Sequence, residues 1–116
     1  MSQTRIYHNP RCSKSRETLA LLEQQGEDPE IILYLKSPPT PAELAELLQL
    51  LGIPAEALLR KGEADYKSLG IADKKLTETQ LIELMSTHPK LIERPIVVKN
   101  GKAKLGRPPE QVKAIL

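Results

Sequence analysis

The sequence predicts an α/β domain: a mixed four-stranded sheet flanked by helices, interrupted at its centre by a helical insertion. Three observations carry that prediction. Residues 5–35 run strand, helix, strand, the order of a βαβ unit with parallel pairing. Two capping-box signatures with helical apolar spacing follow in the middle of the chain. Two short apolar segments then flank Asn100-Gly101, a strong hairpin signal, before a proline-led terminal helix.

Taken in order, residues 5–8 form a brief, partly apolar strand that stops at Asn9-Pro10. Helical character begins near Ser13, a natural cap, and runs to about Gln25. Leu19 and Leu22 share one face, and Gly26 is the expected C-terminal stop. "EIILYL" (30–35) is an almost continuous apolar run, the pattern of a strand covered on both faces. After "KSPPT", Thr40-Pro41-Ala42-Glu43 combines a cap, a proline at the first helical position and the glutamate of a capping box. Leu44, Leu47, Leu48 and Leu51 continue at i, i+3, i+4, i+7, and Gly52 closes the helix. A shorter helix is expected over "PAEALLRK" before Gly62. Thr77 to Gln80 repeats the capping box, Leu81, Leu84 and Met85 supply the apolar stripe, and Pro89 ends it. "RPIVV" and "KAKLG" are the hairpin strands, and "PPEQVKAIL" is the terminal helix.

Without the central helices, this is the element order of a thioredoxin-like domain. The insertion at roughly 38–90 has no obvious core of its own, so residues 1–116 are read as a single domain. Composition is that of a soluble globular chain, with 40% apolar and 28% charged residues. With no Trp or Phe and only three Tyr, a single-strand nucleic-acid reading, which relies on stacking platforms, is weakened. A net charge of +2, with the basic residues scattered, gives no nucleic-acid or membrane-surface signal. No run approaches the ~18 apolar residues of a membrane helix, and "MSQTRIYHNP" lacks the apolar stretch of a signal peptide. With one cysteine, no internal disulfide or cysteine-rich zinc site can form, and His8 and His88 show no metal-ligand spacing. The expectation is a cytoplasmic monomer without metal or bound cofactor.

That single cysteine carries the chemistry. Cys12 lies in the loop between the first strand and the first helix, the carboxyl end of a strand, where α/β sheets bind ligands. Helix N–H groups, the helix dipole, Arg11, Lys14 and Arg16 all favour an anion there, and His8 could donate a hydrogen bond. A free thiol titrates near pH ~8.5, and such settings lower it. A buried, inert cysteine is the common alternative, but most neighbours from His8 to Arg16 are basic or polar. Cys12-Ser13-Lys14-Ser15 lacks the second thiol of a C-x-x-C site, so any redox cycle must take its resolving thiol from outside, glutathione being the obvious candidate. Ser15 could still donate to the sulfur. A Cys-x5-Arg phosphatase loop is excluded because position 18 is Thr.

"YHNPRCSKSRETL", "LLRKG", "ERPIVV" and "GRPPEQV" together resemble the glutaredoxin-dependent arsenate reductases, in that family's order and over nearly the whole chain. The resemblance implies the same thioredoxin-like fold with a helical insertion. It implies Cys12 as nucleophile, with His8 helping to lower the thiol pKa. It also implies Arg60, Arg94 and Arg107 as the oxyanion-binding arginines, and Pro95 as the cis-proline packed opposite the cysteine. By itself each arginine reads as a solvated charge, one of 17 basic residues, although Arg94 and Arg107 precede prolines at element boundaries. The implied reaction is reduction of arsenate to arsenite through a covalent thiol–arsenate adduct, with glutathione as co-substrate and glutaredoxin as partner. Two other readings stand beside it. One is a related thiol oxidoreductase acting on another substrate. The other is a non-enzymatic adaptor like the Spx regulators, which share this fold and bind RNA polymerase; those use a C-x-x-C switch, and Ser15 argues against it.

Overall fold

The computed structural model describes residues 4–116; the first three residues of the stretch read for a leader lie outside them. The chain divides into two compact units, Met1–Ser37 with Arg94–Leu116, and Pro38–Glu93.

The first unit holds a four-stranded sheet in the order β2-β1-β3-β4. Strand β1 (Arg5–Tyr7) pairs in parallel with β2 (Glu30–Ile32) and antiparallel with β3 (Ile96–Lys99), which pairs antiparallel with β4 (Lys102–Leu105). Ile6 lies opposite both Ile31 and Val97. Helix α1 (Ser13–Gln24) is the crossover between the parallel strands and turns out through Gly26 at φ +80. Ile6, Leu22, Val97, Val112 and Ile115 form the core of this unit, with Leu19, Leu21 and Leu116 packed around it. On β3, Ile96, Val97 and Val98 are all buried, so this central strand is covered on both faces. The hairpin turns through Asn100 and Gly101, both at positive φ, as a two-residue primed turn requires.

Three expectations change here. The strand expected over 30–35 stops at Ile32 because β1 ends at its partner Tyr7; Leu33 to Ser37 then turn back on the Leu33 carbonyl. Strand β2 lies at the sheet edge, so it is not covered on both faces: Ile31 is 48% exposed. Helix α1 is capped by Cys12 rather than Ser13, which is the first helical residue. The terminal helix is a 3₁₀ helix over Pro109–Ile115. Its buried residues, Pro109, Val112 and Ile115, recur every third position, and a three-residue turn stacks them on one side.

The second unit is helical. Helices α2 (Pro41–Leu51) and α5 (Glu78–Thr87) begin with the complete capping boxes of Thr40 with Glu43 and Thr77 with Gln80. Helix α5 packs against α2 and α3 (Ala55–Leu58), and Leu44, Leu58, Met85 and Leu91 are fully buried. Helix α3 is shorter than expected because Leu59 turns extended and bridges Ile92. Helix α4 (Ala64–Ser68) and the 3₁₀ turns Ile71–Asp73 and Pro89–Leu91 complete the unit.

Candidate active site

Strand β1 delivers His8 and Asn9 into a tight turn that ends at Cys12. The His8 N–H donates to the Ile32 carbonyl at 2.9 Å, extending the parallel pairing by one bond. The Asn9 side chain accepts from the Arg11 N–H at 3.0 Å, and its carbonyl accepts from the Cys12 N–H at 3.0 Å. Arg16 ties the same turn to α1 by donating to the Pro10 carbonyl at 2.9 Å. The loop is therefore held by hydrogen bonds at both ends.

Ser15 is the buried fastener beneath it. Its fully buried hydroxyl accepts from the Asn9 N–H at 3.0 Å and lies 2.6 Å from His8 Nδ1. Burial, with the nearby Arg16 charge, holds the His8 pKa below its ordinary value, so the ring is neutral at pH 7. A neutral ring protonated on Nε2 leaves Nδ1 to accept the single Ser15 proton. His8 thus engages Ser15 through Nδ1.

Cys12 is half-buried and takes the cap position of α1 with extended backbone angles. Burial pushes its thiol pKa up. The Ser15 N–H, the Arg94 guanidinium and the Lys14 N–H all face the sulfur and outweigh burial, so the net shift is downward. The expected contribution of Ser15 to the sulfur comes from its backbone, since its hydroxyl is committed to His8 and Asn9. A thiolate at this cap position sits where the first N–H groups of the helix lack intrahelical partners.

Arg94 ends the segment before β3, and its peptide bond to the buried Pro95 is cis. Burial lowers its pKa, but contact with Cys12 and with Tyr34 raises it further, and the guanidinium is firmly protonated. Arg107, also followed by a cis-proline, is exposed and donates from Nη1 to the Arg94 carbonyl at 3.3 Å. The structure thus brings Cys12, His8, Ser15, Arg94, Pro95 and Arg107 into one unit. Arg60 belongs to the other unit. There its Nη1 pairs with Glu93 at 2.8 Å, its Nε lies 3.6 Å from Glu63, and its N–H donates to the Leu91 carbonyl.

Two residues at this site were not singled out from the sequence. Tyr34 is 1% exposed, and its hydroxyl faces the Arg94 guanidinium. The one signal was a tyrosine inside the apolar run "EIILYL", a polar handle that needs a partner when buried. Gly106 is the other. A Cβ there would lie 2.8 Å from the Pro95 ring and 2.9 Å from the Thr18 methyl, so only glycine fits between helix α1 and the proline. Thr18 is fully buried, donating to the Lys14 carbonyl at 2.8 Å. Among the described residues no group of three or more His, Cys, Asp or Glu is placed to hold a metal. Among them, too, no helix is long and apolar enough to cross a membrane.

Chemically, the arrangement presents an activated thiolate beside a fixed guanidinium and free helix N–H groups. That combination has the chemistry to hold a small oxyanion and to attack its central atom.

The sequence profile of the ArsC family matches residues 7–115. An arsenate reductase of Escherichia coli is 49% identical over 116 residues, covering 100% of this chain and 82% of that protein. The protein YfgD of Escherichia coli strain K12, described as uncharacterized, is 56% identical over 115 residues, 98% of this chain and 97% of that protein. A solved arsenate reductase from Vibrio cholerae superposes with a TM-score of 0.95 at 54% identity, covering 99% and 98% of the two chains.

Proposed function

The chain belongs to the ArsC family, and on that premise we propose that it is an arsenate reductase that uses glutathione and glutaredoxin. The observation that carries the reading is the setting of Cys12: its sulfur faces the Ser15 and Lys14 N–H groups and the Arg94 guanidinium, and no second thiol exists in the chain. An enzyme with this site can start a thiol reduction of an oxyanion and must borrow a thiol to finish it.

Arsenate, a tetrahedral anion, docks against Arg94 and the start of α1, with Arg107 as a further arginine of the family pattern. The Cys12 thiolate forms a sulfur–arsenic bond, and one arsenate oxygen leaves as water after protonation. Arsenic is still As(V) at this point. The glutathione thiol then forms a second sulfur–arsenic bond and a second oxygen leaves as water. A glutaredoxin thiolate attacks the glutathione sulfur. That forms a glutathione–glutaredoxin disulfide, and the electron pair of the broken sulfur–arsenic bond stays on arsenic, now As(III). Water releases arsenite and returns Cys12 as thiol. Overall two thiols are oxidised to one disulfide and As(V) gains two electrons. Neutral His8 and the buried Ser15 hold the loop that aims Cys12.

Arsenate-dependent NADPH oxidation tests the proposal, with glutathione, glutaredoxin and glutathione reductase present. The wild type is expected to support it and Cys12→Ser to abolish it. No arsenate-dependent rate would overturn the proposal. One observation favours a second reading, a thiol oxidoreductase with another substrate: a relative of higher identity than the arsenate reductase above is described as uncharacterized. Cys12-dependent NADPH oxidation with a glutathione mixed disulfide, and none with arsenate, would select it.

A further inference from the structure

Beside the Cys12 loop, the first unit carries a cleft of about 320 Å³ lined by His8, Asn9, Pro10 and Arg11 on one side and Leu33, Leu35 and Lys36 on the other. The reaction proposed above consumes nothing from it, since arsenate meets Cys12, the helix start and the arginines. Its walls are built from two fixed segments. Residues 8–11 are held by Asn9 and Ser15, and residues 33–36 are the turn closed on the Leu33 carbonyl. Arg11, on the first wall, is the residue directly before Cys12.

The chemistry of the lining selects a ligand. Leu33 and Leu35 supply apolar surface, and Leu35 is 36% exposed although it is a large hydrophobic residue. Arg11 and Lys36 are exposed, and no acidic side chain lines the cleft. Among the described residues neither of these two cations has an ion-pair partner, in contrast to Arg60 and Lys99, which are both paired with glutamates. Two free cations, one on each of the two segments that line a small cleft, suit a compact ligand with two carboxylates.

We propose that this cleft is the glutathione subsite, in which Arg11 and Lys36 take the two carboxylates of the tripeptide and Leu33 and Leu35 receive its cysteinyl portion, placing the glutathione thiol next to Cys12. The assignment rests on the glutathione-dependent reading of the function, and it adds where the co-substrate sits and which residues select it. A tripeptide is favoured over a protein surface because the cleft is small, about 320 Å³, and because its two cations come from the two different segments that line it.

The test uses the reduced full-length chain and backbone-amide NMR, titrating with S-methylglutathione, which keeps both carboxylates and cannot exchange thiols. The expected result is a set of shifts confined to residues 8–12 and 33–36. In the double variant Arg11→Glu/Lys36→Glu the affinity should weaken about tenfold, equal to about 1.4 kcal/mol. In steady-state turnover the same variant should raise the KM for glutathione about tenfold, a larger factor than any change in the KM for arsenate. Shifts that map elsewhere, or an unchanged affinity in the double variant, would overturn the subsite. Shifts at these residues with reduced glutaredoxin and none with the tripeptide would overturn it in favour of a protein-docking surface. Binding here without arsenate turnover would sink the proposed reaction and leave the subsite standing. Turnover with the tripeptide mapped elsewhere would do the reverse.

Discussion

Replacing Arg94 by methionine isolates the effect that the site depends on most. Methionine keeps much of the apolar length of the side chain and removes the guanidinium that faces Cys12 and Tyr34. A hydrogen bond to a charged group contributes about 1.5–3 kcal/mol, and the lower end applies here because Cys12 is only half-buried. Loss of about 1.5 kcal/mol moves the thiol–thiolate equilibrium roughly tenfold toward the thiol. Burial continues to oppose the thiolate in the variant, while the Ser15 and Lys14 N–H groups continue to favour it. The rate of Cys12 alkylation by iodoacetamide, followed against pH, reports the thiolate fraction. Arg94→Met should shift that profile to higher pH and slow alkylation at neutral pH, by up to about tenfold. The exposed β4 residue Lys102 provides a control, and Lys102→Ala should leave the profile in place. An unchanged profile in Arg94→Met would refute the reasoning, because the arginine would then contribute nothing to the thiolate.

Gly106→Ala pushes a methyl group against Pro95 and Thr18 and should lower stability by about 1–3 kcal/mol, read as a fall in thermal midpoint; Gly62→Ala, in open space, should change it by no more than about 0.5 kcal/mol. Ser15→Ala removes the buried acceptor of the Asn9 N–H and the partner of His8, and should cost about 1–3 kcal/mol in urea unfolding. Acid should destabilise the fold in two steps. Burial and the Arg16 charge lower the His8 pKa, so its contribution is present above the unfolded value near 6.5 and is lost as pH falls below it. The bonds of Glu27 to Lys99, at 2.7 Å, and to Thr4 lower its pKa, so that contribution is lost only below the ordinary carboxylate value of about 4.3. Lys99→Met should weaken the second step and leave the first, as measured by unfolding free energy against pH.

The sequence made the architecture readable where local chemistry and tertiary packing agree. Thr40 with Glu43 and Thr77 with Gln80 start helices because their caps are complete within four residues. Asn100-Gly101 turns the hairpin because both positions tolerate positive φ. The errors came where the outcome depends on distant partners. The apolar run after Glu30 was readable as a buried strand, but its length is set by Tyr7 on β1, and its exposure by its place at the sheet edge. The sequence announces a proline-led terminal helix, and the structure makes it 3₁₀, with Pro109, Val112 and Ile115 buried along one side. At the site, Cys12 stood out as a lone thiol among basic residues. The partnership of Ser15 with His8, the position of Tyr34 against Arg94 and the tight fit of Gly106 on Pro95 and Thr18 all join residues far apart in the chain or on different elements. No local pattern announces such pairings.

Direct arsenic speciation tests the central claim, that Cys12 opens a thiol reduction of arsenate which a borrowed thiol completes. Purified enzyme is incubated with arsenate, glutathione, glutaredoxin and an NADPH-coupled reductase, and arsenite is quantified by chromatography. The account predicts one arsenite for each NADPH oxidised, and none when glutathione or glutaredoxin is omitted or when Cys12→Ser replaces the wild type. Arsenate recovered unchanged while NADPH is consumed, or equal arsenite from Cys12→Ser, would contradict it.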